Sequence, residues 1–136
     1  MFESIDEAKR VLAEIRPHLA RMVELAAEGA RLRAALRAQG VLARRNGHLE
    51  APVPAEDPRD EPGGPLEQLT AELRRIIAAI TSRGVEVKDI ERGLIDFPFR
   101  RGDEVVYLCF EWGEPDIAFW HRVEDGYRGR RPISEL

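Results

Sequence analysis

Asp96 stands out because a carboxylate interrupts an otherwise apolar run, LIDFPF. Burying such a group unpaired costs several kcal/mol, so it must have a partner or a task. The task would be general-base work or metal ligation; the structural alternative is a pair with Arg130 or a hydrogen bond to His121. His121 closes a second apolar run, IAFWH, two positions after Phe119 and so nominally on the same strand face. An imidazole there suits a proton shuttle or a metal ligand, or a half-buried histidine bonded to a carbonyl or carboxylate. No second histidine lies at ligand spacing. Cys109 falls in EVVYLCF on the face of Val105 and Tyr107, and reads as a small buried hydrophobe rather than an activated thiolate. Glu114 in WGEPD and Arg130 in GRRP complete the candidate catalytic set of Asp96, His121, Glu114 and Arg130. Asp96 and His121 are the candidate metal ligands, and Trp112 or Trp120 the expected apolar wall. Arg130 could instead hold an anion together with Arg128 and Arg131. The sequence has no phosphate-binding glycine loop, dinucleotide fingerprint, zinc-protease helix, paired-cysteine motif or nucleophile elbow, and no cofactor is expected.

These residues need elements to position them, and the chain of 136 residues fits one domain of α+β class. Ser4 and Glu7 have the spacing of a capping box. Apolar residues then recur at helical intervals through Ile5, Ala8, Leu12, Ile15, Leu19, Met22 and Ala26, which predicts a long amphipathic helix over about 4–43. Pro17 lies inside it and should kink it, while the pattern stays in phase on both sides. In residues 46–65 four prolines with an acid cluster between them precede Gly63-Gly64-Pro65 without apolar period, and the stretch reads as a linker. A second helix is expected over about 65–83, with Pro65 at its first position, a seam of Leu66, Leu69, Leu73, Ile76 and Ile80, and Gly84 as its C-terminal cap. The two should form a helical hairpin with coiled-coil character.

From residue 85 to 122 the pattern becomes short, β-branched and aromatic, which predicts a three-stranded antiparallel meander with 104–111 in the centre. Pro98 should then lie at a strand end or an edge, and 123–136 should be loop with a turn at Asp125-Gly126.

The runs GVEVKDIERGLIDFP, VYLCFEWGEPDIAFWH and GYRGRRPI resemble a bacterial family catalogued only as domain of unknown function 2203. The family's motif positions fall here on Gly93, Asp96, Phe97, Pro98, Cys109, Gly113, Glu114, Trp120, His121, Gly126 and Arg130. Phe110 stands where the family usually has Trp, and Glu111 where it usually has a base. The resemblance implies a helical N-terminal part and a small β part, and no activity.

Composition narrows the partners. One cysteine cannot form an internal disulfide, which fits a reducing, cytoplasmic setting. No run approaches the roughly 20 apolar residues of a membrane span, and MFESIDEAKR has acids where a secretion signal has bases. The net charge is −4, with nine bases against six acids in 1–47. The basic run Arg31, Arg33, Arg37, Arg44 and Arg45 has no interleaved aromatics, so nucleic acid is not an expected partner. The first helix would be roughly 55 Å long against roughly 27 Å for the second. Apolar surface left over would face the β unit, the linker or another chain, and the simplest outcome is a homodimer through the helices or contact with an unidentified protein partner. The sequence therefore favours a non-catalytic interaction or oligomerisation module built on a helical arm. The alternative is a small enzyme or ligand- or metal-binding protein with its site in the β unit around Asp96, Glu114, His121 and Arg130.

Overall fold

A computed structural model of the chain describes residues 1–38 and 63–136, together with the backbone of Arg44–Arg45 and His48–Leu49. Helix α1 runs Ile5–Ala38 and α2 runs Pro65–Thr81. Two-residue strands β1 (Arg44–Arg45) and β2 (His48–Leu49) pair antiparallel; the rest of the expected linker up to residue 62 lies outside the described residues. An antiparallel sheet follows in meander order: β3 (Glu86–Asp89), β4 (Leu94–Arg101), β5 (Glu104–Glu111), β6 (Phe119–Arg122) and β7 (Arg131–Pro132).

The caps expected at the start of α1 and the end of α2 are present, while the expected stretch 39–43 of α1 lies outside the described residues. Ser4 Oγ accepts from the Glu7 amide at 3.1 Å, and α1 passes through Pro17 as one element. Gly84 takes φ +82°, its amide donating to the Thr81 carbonyl at 3.0 Å, and Val85 behind it is buried.

The sheet has five strands, not three. The two that the apolar pattern did not mark are its edges, EVKD and RP. Edge strands are short and carry charge or proline, since these discourage pairing with other chains, and such residues erase the hydrophobic alternation that betrays a strand. The expected loop 123–136 accordingly contains β7, preceded by a 3₁₀ turn at Tyr127–Gly129. Strand β5 is central, as its near-continuous apolar run requires.

Pro98 is not at a strand end; it sits inside β4 opposite Tyr107. Strand β3 pairs with β4 only from Leu94 to Asp96. Beyond that point Phe2 takes its place, donating its amide to the Pro98 carbonyl at 2.7 Å and accepting from the Arg100 amide at 3.0 Å. That pairing uses Pro98's carbonyl and never its nitrogen, so the missing N–H costs nothing there.

The chain divides into two compact units, Met1–Val23 with Ile76–Leu136, and Glu24–Arg75. In the second, Leu69 Cδ2 comes within 3.3 Å of where a Cβ on Gly29 would stand. The first unit carries the sheet. Cross-strand register and strand alternation put Phe97, Leu108 and Trp120 on one face, and Asp96, Cys109 and Phe119 on the other. The first face is apolar: Ile95, Phe97, Val106, Leu108, Phe110 and Trp120 are buried. Phe2 packs edge-on against Phe97, and Arg16 of α1 lies over Phe110 while its Nη2 donates to the Pro115 carbonyl. Ala8, Val11, Leu12, Ile15, Leu19 and Met22 of α1 are buried, and each large one contributes roughly 1.5–3 kcal/mol.

Candidate functional site

On the second face of the sheet, three polar side chains meet at the level of its central strands. Asp96 (β4) is the cross-strand partner of Cys109 (β5), and His121 (β6) is the partner of Tyr107. His121 Nε2 lies 3.2 Å from Asp96 Oδ1, and one ligand-type atom from each of Asp96, Cys109 and His121 falls within 4.8 Å of the others. All three are buried, at 3%, 1% and 3% exposure. They lie in a hollow of about 230 Å³ whose walls are Lys88, Leu94, Tyr107, Val123, Gly126 and Tyr127.

Hydrogen bonding fixes the imidazole. Nδ1 faces the Arg122 carbonyl at 2.8 Å, and a carbonyl can only accept, so Nδ1 carries a proton. Nε2 is left facing Asp96. Either Nε2 is also protonated and donates to a carboxylate, or it accepts from a protonated carboxyl; the pair holds one proton in either place. Burial pushes the Asp96 carboxyl up from its ordinary value, with the His121 charge and the neighbouring thiol pulling part of the way back. Burial also pushes the Cys109 thiol up, reinforced by the Asp96 charge and opposed by that of Arg130. In the absence of a cation on it, Cys109 is therefore a thiol and not a nucleophile.

The walls are held by charges. Tyr107 donates its hydroxyl to Glu86 at 3.0 Å, and Lys88 bonds the same carboxylate at 2.8 Å while lying over the Tyr107 ring. Across the hollow, Gly126 at φ +64° turns the chain after β6, and Tyr127 follows in the 3₁₀ turn. Its hydroxyl donates to Glu111 at 2.9 Å, and Glu111 also takes Arg92 Nε at 2.8 Å. The guanidinium groups of Arg92 and Arg130 lie over its ring at 4.4 and 4.7 Å.

The sequence-derived candidates thus separate into two groups. Asp96 and His121 converge, as the hydrogen-bond alternative had it. Arg130 pairs with Glu114 instead of Asp96: its Nη2 reaches both carboxylate oxygens at 2.8 and 2.7 Å, and Glu114 Oε1 also accepts the Glu111 amide. Neither lines the hollow. Trp120 is buried on the opposite sheet face and Trp112 is exposed beside Gly93, so the expected tryptophan wall is made by Tyr107 and Tyr127.

A family model described as an uncharacterized conserved protein, DUF2203, matches residues 2–133. The chain belongs to this family. No curated protein and no solved structure matches it.

Cys109 was missed as a member of the cluster, although a signal for it existed. The hairpin turn at Gly102-Asp103 leaves Arg101 opposite Glu104, and counting back along both strands sets Asp96 opposite Cys109. Tyr107 follows by the same parity. Tyr127 and Lys88 come from elements whose sequences gave no strand pattern.

Proposed function

We propose that this DUF2203 protein binds a small ligand in the hollow on the second face of its sheet, with Asp96, Cys109 and His121 as the contacting groups. One observation carries the reading: three buried ionisable side chains from three adjacent strands face a cavity rather than close-packed apolar atoms. An apolar filling would be the stable choice at the centre of a sheet, and groups that cost stability persist where they serve a site. The proton shared by Asp96 and His121 gives the floor of the hollow a donor and an acceptor that can exchange places, which suits it to general acid–base work as well as to binding.

Capture of Cys109 by methylmercury(II), which bonds to sulfur and releases the thiol proton to solvent without needing a preformed thiolate, tests this. A hollow that admits small molecules gives modification of the folded protein at a rate nearly independent of low denaturant concentrations. A sealed interior gives a rate that climbs with denaturant along the slope of global unfolding, and that result rejects the reading.

The second reading is the helical hairpin acting as an interaction arm, pairing with another copy or an unidentified partner. The leftover apolar surface that motivated it is small: the exposed large apolar residues among those described are Met1, Val105, Trp112, Val123 and Tyr127, none of them on α1 or α2. A dimeric mass by light scattering at micromolar concentration would support it, and a monomeric mass would reject it. No helix among the described residues is long and apolar enough to cross a membrane, and the lone buried thiol supports a cytoplasmic setting.

A further inference from the structure

Resting on the ligand-binding reading, we infer that the floor of the hollow is a site for one divalent transition-metal ion of the zinc class, held by Asp96, Cys109 Sγ and His121 Nε2, with a fourth position open to the hollow. The spacing supports it. Metal–ligand bonds of about 2.0–2.3 Å put the ligand atoms of a tetrahedral site roughly 3.3–3.8 Å apart. The Asp96–His121 separation of 3.2 Å is already close to that edge, and the full spread of 4.8 Å closes with side-chain rotations of about an ångström.

The imidazole is prepared for the role. Metal-bound histidines regularly donate their other ring nitrogen to a carbonyl or carboxylate, which fixes the tautomer and aims the free nitrogen at the ion. His121 does this with the Arg122 carbonyl at 2.8 Å, so the nitrogen facing Asp96 and Cys109 is the one with the available lone pair.

The donor set selects the ion. One sulfur, one imidazole nitrogen and one carboxylate oxygen form a borderline-soft set that favours zinc, cobalt(II) or iron(II) over calcium and magnesium, which prefer oxygen. A thiolate and a carboxylate together neutralise a dication, which favours burial of the assembled site. Three protein ligands are one short of a closed structural site and match the count of sites that keep a position for water or substrate. On binding, the ion takes the place of the proton between Asp96 and His121 and displaces the Cys109 proton, both leaving to solvent.

The test is a cobalt(II) titration of protein freed of metal by a chelator, followed by zinc competition. Expected are one equivalent bound, the intense visible bands of four-coordinate cobalt, a near-ultraviolet thiolate-to-cobalt band, and displacement by zinc. Cys109→Ser should abolish the near-ultraviolet band, and Asp96→Asn and His121→Gln should each weaken binding at least tenfold with circular dichroism unchanged. Zinc should also slow the capture of Cys109 by methylmercury(II) in the wild-type protein, which needs no variant to fold. Absence of binding, or equal binding by wild type and all three variants, overturns the inference. Should the reagent reach Cys109 in the folded state while neither cobalt nor zinc binds, the hollow stands and only the metal falls; should the reagent be excluded as well, both fall.

Discussion

Replacing Cys109 by alanine should change how stability responds to alkali far more than how much stability there is at pH 7. In the metal-free folded protein the thiol is buried beside the Asp96 carboxyl, and its pKa is raised from 9.0 beyond the accessible alkaline range. The unfolded chain loses its thiol proton near pH 9 and the folded chain does not. The folded state thus binds more protons above that value, and stability falls as pH rises, by about 1.4 kcal/mol per pH unit. The Cys109 contribution is therefore intact below pH 9 and lost progressively above it, reaching about 2 kcal/mol by roughly pH 10.5. Tyrosines and lysines titrate in both proteins, so the difference between wild type and Cys109→Ala isolates the thiol. Urea unfolding of each at intervals from about pH 7 to 10.5, with a chelator present, gives that difference directly. Near pH 7 the variant should be less stable by about 1 kcal/mol for the lost sulfur contacts, and the gap should close and then invert as pH rises. Curves that stay parallel within about 0.5 kcal/mol would mean that the folded thiol ionises freely, and the burial and electrostatics described for this site would be wrong.

Glu114→Gln leaves the Arg130 guanidinium, packed at 4.1 and 4.7 Å over the Phe119 and Tyr127 rings, without its counter-charge. Breaking a fully buried pair costs 3–5 kcal/mol; these side chains retain 12% and 21% exposure, so about 2 kcal/mol is expected in denaturant unfolding, with partial recovery in Glu114→Gln/Arg130→Met. Gly93→Ala puts a Cβ at φ +62°, 2.5 Å from Trp112 Cβ and 2.9 Å from Val23 Cγ2. Strain and overlap together should cost about 2–4 kcal/mol, and a thermal melt shifted by less than a degree would contradict that geometry.

Much of this architecture could be read from local pattern. The 3.6-residue apolar period fixed α1 and α2, Ser4 and Gly84 marked their ends, and the apolar runs located β4, β5 and β6. The interruption of an apolar strand by Asp96, and the position of His121 at the end of an apolar run on the face of Phe119, were enough to nominate both. These inferences work because helix phase, strand parity and caps depend on neighbours within a few residues.

What the sequence did not determine was whatever depends on which strand lies beside which. Strands β3 and β7 carry charge and proline because they are edges, and their strand character comes from pairing with β4 and β6 rather than from their own residues. Pro98 could stand inside β4 because a residue 96 positions away, Phe2, accommodates its missing donor. Charge alone offered Arg130 either Asp96 or an anion, and the fold after the turn at Gly126 paired it with Glu114 instead. Cys109 looked inert on its own strand and became part of a cluster once its neighbours on either side supplied a carboxylate and an imidazole. A single strand specifies which of its side chains share a face, but the chemistry of that face is set by residues brought alongside from elsewhere in the chain, and that is decided only when the sheet closes.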